Sequence, residues 1–333
     1  MSGTGVTARD VVFRDGSASL LRFRGPAAAG SGAPAPLLLV PSLINRWYVL
    51  DLAPGASVVA ALLEAGIDTY CLDWGVPGDE DRYLGWDEVI ERLCRCARAA
   101  QRHAGAERIA LLGYCMGGTL CAIGAALDPG RICALVNLAG PIDFAHAGIL
   151  GHLVDARWFD PEAMSCAGNI SAWQMQSGFM AMRPTLQLAK LVGLCDRLGD
   201  DEARARFLTV ESWANDNVPF PAAAYVRYIR DLYQRNELVA GEHRIRSRRV
   251  DLAAVDCPVL TVVTERDEIC PPPCATALNR LVGSTDTDIL CVPGGHVGAG
   301  VGSRAARELY PRLVGWLVGG QRTNTNIERS VPQ

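Results

Sequence analysis

Apolar and polar positions change their period several times along the chain, and each change marks a new element. The opening stretches "VTARDVVFRDG" and "ASLLRFRG" alternate apolar with polar side chains, so they predict an antiparallel hairpin. A Gly/Ala/Pro linker, "GPAAAGSGAPAP", follows, and then "LLLVPSL", a continuous apolar run that marks a strand covered on both faces. "ASVVAALLEAG" has helical spacing and stops at a glycine, and "DTYCLDWG" is the next strand. "WDEVIERLCRCARAAQRHAG" reads as a long amphipathic helix with Asp87 and Glu88 early and bases late, the order a helix dipole favours.

"ERIALLGYCMGGTL" then turns from a strand into a helix running from about Gly117 to Leu127, and "ICALVNLAG" is again a strand. This repeated alternation predicts a parallel sheet wrapped by helices. The rhythm breaks between Ile142 and Arg249, which is rich in Trp, Met, Phe and helix formers and reads as a helical insertion over the sheet. It resumes with "CPVLTVVTERD" (strand), "PPPCATALNRLVG" (helix), "DTDILCVPGGH" (strand) and "SRAARELYPRLVGWLVGG" (helix). The expected organisation is a core of residues 1–141 and 250–320, a helical cap of 142–249, and a flexible polar tail of 321–333.

With 333 residues, 49% of them hydrophobic, the chain has enough apolar surface for a large core. A formal net charge of −4 gives no reason to expect nucleic acid as a partner. Arg244, Arg246, Arg248 and Arg249 form the one basic cluster, read either as a solvated loop or as a small phosphate-binding patch. The N-terminus has no basic region followed by an apolar run, and no stretch reaches the roughly 18 apolar residues of a membrane span. Twelve cysteines scattered along a chain of this size fit a reducing cytoplasm, and none pairs with histidines at metal-ligand spacing, so no metal and no cofactor are expected.

The chemistry centres on "GYCMGG". Gly113-x-Cys115-x-Gly117 has the spacing of a nucleophile elbow, in which flanking glycines let the backbone turn sharply between strand and helix. A helix N-terminus there favours a thiolate and an oxyanion. Taken alone, Cys115 could be one more buried, inert thiol. Two later residues change that, because Asp267 follows one strand and His296 the next, the acid-then-base order of an α/β-hydrolase triad. Glu265 and Glu268 adjoin Asp267 as competing acids, while His103, His146, His152 and His243 read as structural or solvated. The expected oxyanion donors are the backbone N–H of Met116 and, in "PSLINR", that of Ile44.

The chain resembles the polyhydroxyalkanoate synthase family from about Val11 to Leu317, and five segments within that span carry the likeness in the family's order. They are "PSLINRWYVLDL", "GYCMGG", "ESWANDNVPFPAAAYVRYIRDLYQRNELVAG", "VDLAAVDCPVLTVVTERDEICPP" and "VPGGHVGAGVGS". The resemblance implies Cys115 as the acyl-carrying nucleophile, Asp267 as the acid and His296 as the base. It also implies an (R)-3-hydroxyacyl-coenzyme A substrate and a polyester product. The length resembles the short two-component type, which implies a second synthase subunit, a homodimer or hetero-oligomer, and a place in the cytoplasm at the polyester granule surface.

Two departures stand out: Glu268 follows the aspartate where the family usually has histidine, and Pro219-Phe220-Pro221 replaces its usual Pro-Gly. Trp158, Phe159, Trp173, Phe179 and Trp213 are the expected water-excluding aromatics of the cap. The competing readings are a cysteine-nucleophile hydrolase, either a thioesterase or one like dienelactone hydrolase, and an inactive granule-associated scaffold.

Overall fold

A computed structural model describes residues 5–25, 34–182, 193, 199–300 and 303–319. The opening hairpin is β1 (Arg9–Asp15) and β2 (Ala18–Phe23). Six further strands share its sheet: β3 (Leu37–Val40), β4 (Thr69–Asp73), β5 (Ile109–Tyr114), β6 (Ile132–Leu138), β7 (Val259–Thr264) and β8 (Thr287–Val292). The spatial order is β1-β2-β4-β3-β5-β6-β7-β8. β2 joins β4 antiparallel, and every pairing from β4 to β8 is parallel.

Burial on both faces explains the unbroken apolar runs. Leu38 and Val40 pack into one cluster and Leu37 and Leu39 into the other, as alternation along a strand requires. Helix α1 (Val58–Glu64) starts at Ser57, whose Oγ accepts the Ala60 N–H at 2.9 Å. Helix α2 (Trp86–Ala104) carries Asp87 and Glu88 in its first turn and stops at Gly105, in the left-handed region at φ 65°. Helix α3 (Met116–Leu127) is buried along its whole length.

Between β6 and β7 lie α4 (Gly148–Leu153), α5 (Pro161–Ser165), α6 (Ala172–Met182), α7 (Asp201–Ala214), α8 (Ala222–Arg227) and α9 (Glu237–Ala240). Helix α8 continues into a π-helical stretch, Tyr228–Gln234. Two isolated bridges tie these segments down, Ile170 to Phe220 and Asn45 to Asn217. Phe220, which replaces the glycine of the resemblance, is almost fully buried and packs against Tyr225 and Tyr228. The chain closes with α10 (Pro272–Leu281), α11 (His296–Gly300), α12 (Ser303–Glu308) and α13 (Tyr310–Gly319).

Two expectations change. The last helix, read as continuous from Ser303, breaks at Leu309; Pro311 has no N–H to bond back to the preceding turn. The arginine cluster, read as a loop, is a short hairpin, Arg244–Ile245 against Arg248–Arg249, with all four arginines exposed as the solvated reading has them. Arg246 bonds Glu88 and Glu91, Arg248 the Leu127 carbonyl, Arg244 the Ser247 carbonyl and Arg249 the Gly241 carbonyl. The tail 321–333 lies outside the described residues, as does most of the Gly/Ala/Pro linker.

Cys115 is the single residue between β5 and α3, at φ 57° and ψ −130°. The turn is fixed by its N–H donating to the Leu138 carbonyl (2.9 Å) and by Gly118 N–H donating to its own carbonyl (2.8 Å). Glycine is required on either side. A Cβ at Gly117 would lie 1.9 Å from the Val40 carbonyl oxygen, and one at Gly113 would lie 2.2 Å from the Gly117 carbonyl oxygen. Gly117→Ala is therefore expected to cost about 3 kcal/mol or more, read as a lower urea midpoint with an unchanged slope. Gly130→Ala, whose Cβ meets nothing within 4 Å, should shift stability by less than about 0.5 kcal/mol.

Candidate active site

The sheet's parallel strands all deliver their following loops to one edge. β5 leads into Cys115, β7 into the loop bearing Asp267, β8 into the loop that ends at His296, and β3 into the loop bearing Ile44. These residues are far apart in sequence and meet only because their strands are neighbours.

Asp267 and His296 are both buried and joined by a 2.8 Å hydrogen bond, with Nδ1 of the imidazole donating to Oδ2 of the carboxylate. The other carboxylate oxygen, Oδ1, accepts the N–H groups of Ile269 (2.9 Å) and Cys270 (2.8 Å). Both oxygens are thus held, and the imidazole is oriented with Nε2 as its other edge. Nε2 is buried and makes no hydrogen bond of ordinary geometry among the described residues. Tyr114 stacks on His296 at a centroid distance of 5.7 Å, and its hydroxyl donates to the His296 carbonyl at 3.4 Å. Glu265 and Glu268, the competing acids, are exposed, and no hydrogen bond joins either to the imidazole among the described residues.

The electrostatics are set by burial and charge in opposition. Burial disfavours the imidazolium, but the charge on Cys115 and the hydrogen bond to Asp267 outweigh it, and His296 is pushed up to about 10. Cys115 is thus near enough to His296 for charge on its sulfur to act on the imidazole. Elsewhere burial is the largest influence that pushes thiols up, as at Cys71 and Cys121. Cys115, by contrast, is half-buried and lines a cavity.

That cavity has a volume of about 370 Å³ and is walled by Cys115, His296 and Ile44 on the core side and by Phe179, Met182 and Trp213 from the helices above. Of the aromatics expected to exclude water, Phe179 and Trp213 line it, and Phe159 packs half-buried against the core. Trp158 and Trp173 do not; they are 61% and 73% exposed. Glu268 also lines the cavity.

The two expected oxyanion donors differ in setting. Met116 is buried as the first residue of α3, where an N–H has no acceptor within its own helix. Ile44 lines the cavity with its N–H 3.4 Å from Ser42 Oγ and its carbonyl accepting from Val218 N–H at 3.0 Å.

Of the other histidines, His146 and His152 are exposed and two are structural. His243 is fully buried and accepts from Trp86 Nε1 at 3.1 Å, and His103 bonds the Tyr70 hydroxyl at 2.9 Å. Asp231, Glu237 and His243 cluster closely enough to suggest a metal site, but Asp231 is already bonded by Arg227 and Arg230.

Two outcomes are expected from the His296 environment. His296→Gln removes the cation beside the thiol and should slow iodoacetamide alkylation of Cys115 at pH 7 by roughly tenfold, followed by peptide mass. The folded-state pKa lies above the ordinary 6.5, so the stability His296 contributes is present below about pH 6.5 and is lost as pH rises towards about 10. Urea denaturation across that window should show the difference between the protein and His296→Gln narrowing as pH rises.

Comparison with known proteins agrees with this architecture. Residues 35–299 match the family described as alpha/beta hydrolase fold, and residues 3–62 match the poly-beta-hydroxybutyrate polymerase (PhaC) N-terminus. The chain is 32% identical to the poly(3-hydroxyalkanoate) polymerase subunit PhaC of Allochromatium vinosum, covering 94% of this chain and 89% of that one. It is 33% identical to the protein of that name from Synechocystis, covering 94% of this chain and 85% of that one. A relative of the same name from Haloferax mediterranei is 33% identical over 97% of this chain but only 66% of its own length.

Among solved structures, a soluble variant of monoglyceride lipase from Saccharomyces cerevisiae superposes with a TM-score of 0.57 at 16% identity, covering 94% of this chain and 96% of that one. At that identity the likeness concerns the fold alone. The full-length matches to the polymerase subunits identify the chain as a member of the poly(3-hydroxyalkanoate) polymerase family, built on the α/β-hydrolase fold.

Proposed function

We propose that this chain polymerises (R)-3-hydroxyacyl-coenzyme A through an acyl-enzyme on Cys115. The observation that carries the reading is the Asp267–His296 hydrogen bond at 2.8 Å beside an elbow cysteine whose charge raises His296. In the proposed reaction the Cys115 thiolate attacks the substrate thioester, and the N–H groups of Met116 and Ile44 hold the oxyanion. The His296 imidazolium then gives its proton to the departing coenzyme A thiolate. The substrate brings its own activation, so the reaction calls for no metal or cofactor.

Acylation removes the charge that most raises His296, which leaves a neutral imidazole held by Asp267 and able to accept a proton. It takes the proton of the 3-hydroxyl of an incoming hydroxyacyl-coenzyme A. The alkoxide attacks the Cys115 thioester and expels the Cys115 thiolate, forming an ester bond. Transfer of the lengthened acyl group back to Cys115 releases the second coenzyme A.

A thiol suits this sequence. Exchange between two thioesters is nearly energy-neutral, and the later step to an oxoester runs downhill. A serine acyl-enzyme would already be an oxoester and would gain little by passing its acyl group to another hydroxyl. Water is the competitor, and the cap of residues 142–249 would exclude it by placing Phe179, Met182 and Trp213 over the cavity. A second synthase subunit and a place at the cytoplasmic granule surface belong to the same reading. The subunit names of the relatives support the second subunit; among the described residues no helix is long and apolar enough to cross a membrane.

The test is to incubate the purified protein with (R)-3-hydroxybutyryl-coenzyme A, follow free thiol, and analyse the acyl product. Insoluble polyester is expected. Free hydroxy acid alone would indicate a hydrolase, and no thiol release with or without the second synthase subunit would indicate a scaffold. Cys115→Ala should lower release by roughly a thousandfold or more.

A further inference from the structure

The loop carrying Ile44 is held from the cap. Its carbonyl accepts from Val218 N–H at 3.0 Å, and the Asn45 side-chain amide donates to Asn217 Oδ1. Trp213 Nε1 donates to the Arg46 carbonyl at 2.9 Å, and the Tyr48 hydroxyl donates to Asp216 Oδ2 at 2.6 Å. Residues 213–218 therefore run alongside residues 44–48, and Asn45 and Asn217 form a strand-like bridge between them.

Asn217 is the centre of this contact. Its Oδ1 accepts from Asn45, while its Nδ2 donates to Gln176 Oε1 and to the Ala214 carbonyl. Gln176 in turn bonds Asn215. Asn45, Asn217 and Gln176 line the same cavity as Cys115 and Ile44. Each carboxamide is committed to a neighbour, so the chain of amides reads as a clamp between helices α6 and α7 and the Ile44 loop.

Ile44 needs such a clamp. Its N–H lies 3.4 Å from Ser42 Oγ, too far for a strong hydrogen bond, so the donor is available but weakly held from its own side. What fixes the residue is the side towards Val218 and Asn217. We propose that Asn217 is a positioning residue: by holding Asn45 it keeps the Ile44 N–H where an oxyanion on the Cys115 adduct would form. The proposal rests on the acyl-transfer reading above. It makes the oxyanion site complete only while the 213–218 segment is seated, which couples the cap to the chemistry through the Ile44 loop.

Two reactions of the same thiol separate this role from a general loss of structure. Coenzyme A release from (R)-3-hydroxybutyryl-coenzyme A passes through a tetrahedral oxyanion. Alkylation by iodoacetamide displaces iodide from a saturated carbon and forms no oxyanion. In Asn217→Ala, kcat for coenzyme A release should fall roughly tenfold to a hundredfold, with KM little changed and the alkylation rate at pH 7 unchanged or faster. Asn217→Asp keeps the acceptor for Asn45 and should run at least about threefold faster than Asn217→Ala. Parallel loss of both reactions would reduce Asn217 to a structural residue, and unchanged coenzyme A release in Asn217→Ala would remove it from the mechanism; either overturns the proposal. If the unmutated protein, with or without the second synthase subunit, releases no coenzyme A while its Cys115 still alkylates, the acyl-transfer reading itself fails and takes this proposal with it.

Discussion

Cys115 is held at φ 57° and ψ −130° by a packing contact elsewhere, the approach of Gly117 to the Val40 carbonyl. Such a conformation costs an L-residue on the order of 1–3 kcal/mol and persists only where the surroundings over-determine it. Here they do, because β3 and β5 are paired in register and α3 leaves β5 through a gap that admits no Cβ. The turn brings the thiol to the N-terminus of α3 and to the edge of the sheet where the loops after β3, β7 and β8 arrive. With Cys115 placed there, the positions of Asp267, His296 and Ile44 follow from strand order.

The charge balance at His296 links this geometry to chemistry. Burial lowers the imidazole's proton affinity, while Cys115 and Asp267 raise it, and the second influence is the larger. Only the Cys115 contribution changes during the proposed reaction, since Asp267 stays bonded to Nδ1 and to two backbone N–H groups. The same imidazole can therefore be an acid when the thiolate is free and a base when the thiol is acylated.

The sheet was legible in the sequence because its central strands are covered on both faces, so β3, β5 and β7 read as unbroken apolar runs. The placing of Cys115, Asp267 and His296 at one edge of the sheet was legible because glycine spacing and chain order are local or ordinal signals. The break at Leu309 was not, since Pro311 could equally begin a helix or kink one. Trp158 and Trp173 were expected over the site because composition marks a residue as aromatic without saying which way a cap helix faces. The Asn45–Asn217 bond joins residues 172 positions apart, and asparagine in a loop has no periodicity to betray a partner. Tyr114 was visible in "GYCMGG", but its stacking on His296 depends on the return of β8 to the same edge.

In the proposed reaction the thiol in place of serine turns a hydrolase-like elbow towards ester formation, and that proposal concerns one covalent bond. The direct test is the mass of the peptide containing Cys115, taken by rapid acid quench while the protein turns over (R)-3-hydroxybutyryl-coenzyme A. The account predicts Cys115 carrying one or more 3-hydroxybutyryl units, released by neutral hydroxylamine as a thioester would be. An unmodified Cys115 in protein quenched during turnover, or an acyl group found on another residue, would contradict it.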